Sequence, residues 1–219
     1  PFTAFLDLPE DIKNPENPIV LKDVKGKIEF RHLTFRYPNG DRDYIKDVSL
    51  TINPGENIGI VGRIGCGKTT LTNLICRLSN SPEGTVFVDD VDVMKADLVS
   101  LRNCISYVPQ DNFLFSETVE NNIGFGKHDS TFEEVVQAAK FSDVHNDIQG
   151  FKDSYKTKVG ERGTTLSGGQ KQRISMARAY IKNAPIMVMD DSVSAVDVKT
   201  EETILNNIRE NRKGKTTII

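Results

Sequence analysis

Eight consecutive residues, Gly62-Arg63-Ile64-Gly65-Cys66-Gly67-Lys68-Thr69, match the phosphate-loop pattern G-x-x-x-x-G-K-[ST] at every position. Residue types and chemistry agree. The glycines leave room for a phosphate chain and allow positive φ angles that turn successive N–H groups inward as an anion nest. A helix beginning at the loop aims its positive pole at the same point. Lys68 reaches the β- and γ-phosphates as a point charge, and the Thr69 hydroxyl is a ligand for the Mg²⁺ that travels with a nucleotide. Nucleotide binding is therefore the expectation, with Thr70 beginning the helical run behind the loop.

Two further clusters bear chemistry. Ile186-Met187-Val188-Met189 is a buried-strand run ending in Asp190-Asp191, which puts carboxylates where parallel sheets bind ligands. Asp190 is read as a second Mg²⁺ ligand and Asp191 as the group that orients a water. Leu166-Ser167-Gly168-Gly169-Gln170 contains an S-x-x-Q capping box, and its paired glycines bare helix N–H groups for a second anion. Two phosphate cradles in one chain suggest two chains sharing nucleotides head to tail.

The elements that must position these groups follow from periodicity. A run Ile58–Val61 enters the loop as a strand, and Leu71, Leu74, Ile75 and Leu78 give a helix over Thr70–Leu78. Ile28, Phe30, Leu33 and Phe35 approximate strand alternation, as do Val48–Ile52 and Gly84–Val88. Asp97 is expected to cap a short helix, and Ile105–Val108 is a strand stopped by Pro109. Thr131-Phe132-Glu133-Glu134 has capping-box spacing, Ser142 is expected to start a second helix, and a helix is expected over Gly168–Ile181. Thr203–Arg212 reads as helix and Thr216–Ile219 as strand. Alternating strands and helices make the fold α/β with a parallel sheet at its centre.

Composition narrows the class. With 219 residues, 37% hydrophobic, 27% charged and a net charge of −3, the chain has the make-up of a globular domain and lacks the broad basic surface of a nucleic-acid binder. No apolar run approaches the roughly 18 residues of a membrane span. Cys66, Cys76 and Cys104 have no C-x-x-C pairing and read as reduced thiols, while His32, His128 and His145 share no ligand spacing. Pro9, Pro15 and Pro18 lie in an extended, polar stretch.

With these motifs in view, the chain resembles the nucleotide-binding domain of ATP-binding cassette (ABC) exporters from about Lys27 to Ile219. The resemblance implies a P-loop NTPase core with a mostly parallel central sheet, an N-terminal antiparallel β subdomain and a helical subdomain inserted at about 115–182. It makes residues 1–25 a linker from a preceding membrane domain and residues 26–219 a nucleotide-binding domain shortened at its C-terminus, before the family's switch histidine. It implies ATP and Mg²⁺ as ligands. Tyr37 becomes the aromatic that stacks on adenine. Gln110, in Tyr107-Val108-Pro109-Gln110, becomes a Mg²⁺ ligand and sensor facing the membrane domain. Ser167, Gly168, Gly169 and Gln170 become the signature that contacts ATP held by the opposite subunit, and Asp197 the loop linking the two sites. Lys158–Gly163 is similar to the segment exporters place against coupling helices.

One position departs from the family pattern. Members that hydrolyse ATP efficiently carry Glu after the strand-end Asp, where this chain has Asp191. One methylene fewer withdraws the carboxylate by on the order of 1 Å from a proton donor, and a misplacement of that size costs about a hundredfold in rate. With the signature intact, the combination resembles the degenerate half of a heterodimeric multidrug-type exporter. It implies a different partner chain carrying Glu, transmembrane coupling helices as a second partner, a place at the cytoplasmic face of the cell membrane, and poor hydrolysis by the fragment alone. Two alternatives share the cradles: a soluble DNA-repair or chromosome-type cassette ATPase, and a non-hydrolytic regulatory module. Fewer than about a hundred residues separate Thr69 from Ser167, without sustained heptads, which argues against the coiled coil of the first.

Overall fold

The computed structural model describes residues 12–160, 165–190 and 196–219, and within them the chain forms two sheets and a helical layer. β1 (Ile28–Phe35), β2 (Ile45–Ile52), β4 (Val86–Val88) and β5 (Val91–Asp92) make an antiparallel sheet in the order β2-β1-β4-β5. Ile28, Phe30, Leu33 and Phe35 face the core; the register shifts between Phe30 and Leu33, where a bulge restores the inward face.

The second sheet is parallel. β3 (Asn57–Ile58), β8 (Thr216–Ile218), β7 (Ile186–Met189) and β6 (Ile105–Val108) lie in the order β3-β8-β7-β6. β7 is buried along its whole length, as an unbroken apolar run between layers requires. The strand expected at Ile58–Val61 is shorter, with regular pairing ending at Ile58. The Ile60 N–H still donates to Ile219 O (2.7 Å), but Val61 is fully in solvent, because the chain leaves the sheet early to form the loop.

Seven helices are described: α1 (Lys68–Ile75), α2 (Leu98–Asn103), α3 (Val119–Gly124), α4 (Phe132–Phe141), α5 (His145–Gln149), α6 (Gly168–Ile181) and α7 (Val198–Asn211). Asp97 caps α2, and both Thr131 and Ser167 form complete capping boxes. Three expectations need correction. Ser142 starts no helix: it closes α4, with its buried hydroxyl turned back onto the Ala138 and Ala139 carbonyls, and α5 begins at His145. α1 ends at Ile75, since Arg77 takes a positive φ of 47°. The last helix starts at Val198, five residues before Thr203, because Asp197 accepts from the Thr200 N–H and caps it there.

Three buried clusters hold the described residues together, one of them packing Met176 and Ala179 of α6 against Val108, Met187 and Met189 of the parallel sheet. A second joins the antiparallel sheet to α1, Leu101 and one face of the parallel sheet. The third gathers Leu114, Ile123, Val135, Ile148, Leu166 and Ile174 from the helical layer. The proline-containing segment at 13–27 is irregular yet tied down: Ile19 bridges to Ala96, Arg77 donates to Lys13 O (2.7 Å), and Asp89 accepts from the backbone of Lys25, Gly26 and Lys27.

Candidate nucleotide site

β3 and β7 are both neighbours of β8, so their C-terminal ends open side by side, and α1 starts immediately above them. Gly65 (φ 77°) and Gly67 (φ 100°) adopt the left-handed conformations expected of a nest; a Cβ on Gly67 would stand 2.7 Å from Tyr44 O. Gly62 is not among the positive-φ glycines. Its requirement is steric, since a Cβ there would meet Cys66 Sγ at 2.5 Å. Lys68 Nζ lies over the loop, donating to Gly62 O (2.9 Å) and Arg63 O (3.4 Å). The first N–H groups of α1 have no intrahelical partner and face the loop.

Across the chain, Thr69 Oγ1 donates to Asp190 Oδ1 at 3.0 Å. Asp190 is buried at the end of β7. Two groups that the motif reading passed over complete this cluster. The Tyr107 hydroxyl lies 3.5 Å from Asp190 Oδ2 and 3.3 Å from Asn73 Oδ1. Burial, and then the charge of Asp190, push the Tyr107 phenol well above its ordinary pKa. The signal for Asn73 was its place one helical turn after Thr69. Tyr107 gave only strand alternation, which says nothing about a partner on another strand.

Two cavities flank Lys68. One, about 210 Å³, is walled by Gly59, Ile60, Val61, Asp190 and Ile219. The other, about 180 Å³, lies against Tyr44, Lys46, Val48 and Cys66. Tyr37 packs edge-on against Tyr44, one of the residues walling the second (5.1 Å between centroids), with its hydroxyl donating to buried Thr70 Oγ1 (3.2 Å). A larger concavity of about 820 Å³, between Lys127, Glu133 and Lys182, is remote from this chemistry.

Gln110 sits just past β6, and the Val108–Met189 pairing brings it level with the end of β7. Its carbonyl accepts from Asn112 Nδ2. Asp191 and Glu161–Gly163 lie outside the described residues. Asp197 caps α7, and those hydrogen bonds from Thr200 hold its carboxyl below the usual range.

The signature segment is not brought onto the loop of its own chain. Leu166 packs in the helical cluster, whereas Leu71 and Leu74 of α1 pack under the sheets. Ser167 and Gly168 are exposed, and a Cβ on Gly168 would meet nothing. Ser167 Oγ accepts from the Gln170 N–H (3.2 Å), and Gln170 Oε1 accepts from the Ser167 N–H (3.0 Å). Asp147, which sequence reasoning also missed, accepts from Gln170 Nε2 (3.0 Å) and Arg173 Nη1 (2.8 Å). Arg173 Nε in turn donates to Gly169 O (3.3 Å), so the side chains of Ser167, Gln170, Asp147 and Arg173 fix the start of α6.

The family model described as "ABC transporter" matches residues 45–194. The chain belongs to the ABC transporter family. It is 46% identical over 95% of its length to a probable multidrug resistance ABC transporter ATP-binding/permease protein, YheI, of Bacillus subtilis, covering 36% of that protein. It is 45% identical over 92% of its length to a mitochondrial iron-sulfur clusters transporter, ATM1, of Gibberella zeae, covering 29% of it. A bacterial Atm1-family ABC exporter with ATP bound superposes with a TM-score of 0.93 at 34% identity, over 98% of this chain and 38% of that one. The chain thus spans about a third of the length of these relatives, and it is the ATP-binding domain of the ABC type that exporters carry. Among its described residues no helix is long and apolar enough to cross a membrane.

Proposed function

We propose that this ABC domain binds MgATP at Gly62–Thr69 and drives export by pairing with a second nucleotide-binding domain. The observation that carries the reading is the separation of the two cradles. The loop and the signature rest on different packing clusters, and Gly168 faces open solvent, so the signature is free to cover a nucleotide held by another domain.

Thr69 Oγ1 and the Asp190 carboxylate are hard oxygens, the donor chemistry of Mg²⁺ rather than of a soft metal. When bound, Mg²⁺ supplies charge neutralisation at the β- and γ-phosphates. Asp190, Thr69 and Gln110 would hold it. Lys68 exchanges the Gly62 and Arg63 carbonyls for phosphate oxygens, the N–H groups of Arg63 to Thr70 form the cradle, and Tyr37 with Tyr44 borders the base. Asp191 orients the attacking water weakly, being one methylene short, and a partner domain with Glu at that position performs most of the turnover. Asp197 joins the two sites from the start of α7.

The transmembrane partner docks in an apolar groove of about 420 Å³ just beyond Gln110, where Phe113 and Phe125 are exposed beside Pro109 and Arg178. The relatives' joint ATP-binding/permease names support that occupant and a place at the cytoplasmic face of a membrane.

Binding of a fluorescent ATP analogue tests the reading. Lys68→Ala is expected to abolish binding by this chain, while Gly168→Asp leaves it intact and stops turnover in the assembled transporter. If Gly168→Asp weakened binding by the isolated chain as much as Lys68→Ala, both cradles would act on one nucleotide and the shared-site reading would be wrong.

A further inference from the structure

Each oxygen of Asp190 has a hydroxyl neighbour, and the two come from different elements. Thr69 on α1 donates to Oδ1 at 3.0 Å, and the Tyr107 hydroxyl on β6 lies 3.5 Å from Oδ2. The hydroxyl has one proton, and besides Asp190 Oδ2 it has Asn73 Oδ1 at 3.3 Å and the Thr72 side chain as hydrogen-bonding neighbours. Asp190 is buried and Tyr107 half-buried, so the choice is made largely out of water. There the ionised carboxylate is the stronger acceptor. The parallel pairing of Tyr107 with Val188 fixes the phenol's height relative to the end of β7. Its ring also forms part of the wall of the Phe113–Phe125 groove.

We infer that Tyr107 is a positioning residue for the cation site: its hydroxyl holds Asp190 Oδ2 so that the carboxylate presents one orientation to Thr69 and to the Mg²⁺ of MgATP. The assignment rests on the reading of Asp190 as a Mg²⁺ ligand. Hydrogen bonds of this kind to a ligating carboxylate commonly change metal affinity tenfold or more. Asn73 has a subordinate role, taking the proton only when the carboxylate does not.

The test is Mg²⁺ affinity at fixed ATP, measured on this chain with a fluorescent ATP analogue and by Mn²⁺ electron paramagnetic resonance, beside ATP affinity in EDTA. Tyr107→Phe keeps the ring and removes only the hydroxyl. It is expected to weaken Mg²⁺ about tenfold, with metal-free ATP affinity unchanged within about twofold. Asn73→Ala is expected to leave Mg²⁺ affinity unchanged or tighter, because the phenol loses its competing acceptor. A purely structural tyrosine would move both ATP affinities together, and that result would overturn the assignment. So would a loss in Asn73→Ala equal to that in Tyr107→Phe. Asp190→Asn separates the two ideas. If it abolishes the Mg²⁺ dependence while Tyr107→Phe does nothing, only the Tyr107 role fails; if Asp190→Asn does nothing, the cation site itself is misassigned.

Discussion

Thr69 and Asp190 stand 121 positions apart in sequence, yet their side chains meet at 3.0 Å. The contact joins the start of α1 to the end of β7 and makes the phosphate loop and the strand-end carboxylate one site.

The two outer glycines of the loop are required for different reasons. Gly67 combines a φ of 100° with a backbone oxygen 2.7 Å from any added Cβ, whereas Gly62 would meet only the movable Cys66 thiol. Gly67→Ala is expected to destabilise the fold by about 1–3 kcal/mol from backbone strain alone, and Gly62→Ala by distinctly less. Thermal and urea denaturation measure the difference; equal losses would contradict the geometry.

Thiol labelling separates the cysteines. Cys66 is exposed in the loop, while burial pushes the Cys76 thiol up to about 12 and the Cys104 thiol up to about 11, leaving both largely protonated and inaccessible. Maleimide at neutral pH is expected to modify one thiol per native chain and to block nucleotide binding, with MgATP slowing the reaction. Rapid labelling of a second thiol, or indifference to MgATP, would count against this arrangement.

Asp191→Glu is expected to raise ATP turnover at this chain's own loop in the assembled transporter by about a hundredfold, the cost assigned to a base misplaced by on the order of 1 Å. Site-resolved single-turnover measurements decide it. No change would show that the shorter carboxylate is not what limits this half.

The start of the signature helix carries an acid-sensitive lock. Burial raises the Asp147 pKa, but hydrogen bonds from Gln170 and Arg173 outweigh it and leave the carboxyl below its ordinary value. A carboxylate with a lower pKa folded than unfolded stabilises the fold above its unfolded value, about 4, and loses that contribution as pH falls through the folded one. Asp147→Asn is therefore expected to cost about 1–2 kcal/mol at pH near 7, and progressively less as pH falls well below about 4. Denaturation at neutral and acidic pH checks it, and a cost independent of pH would point to packing instead.

The sequence alone determined whatever depends on neighbours along the chain. The loop's glycines, the capping boxes at Thr131 and Ser167, the apolar run of β7 and the alternation of β1 each act within a few residues, so their chemistry is written in consecutive letters. Helix limits were less legible at Ser142 and Thr203, because a serine closes a helix as readily as it opens one and Asp197 capped the last helix earlier than its apolar period suggested. Only the tertiary structure decided which distant groups share a site. β-sheet order is set by packing across the whole chain, and that order seats β3 and β7 on either side of β8, places Tyr107 beside Asp190, and turns Asp147 toward Gln170 and Arg173. A hydroxyl-to-carboxylate contact between two strands leaves no spacing rule in the sequence, since the residues between them are free to vary in number without changing which side chains meet.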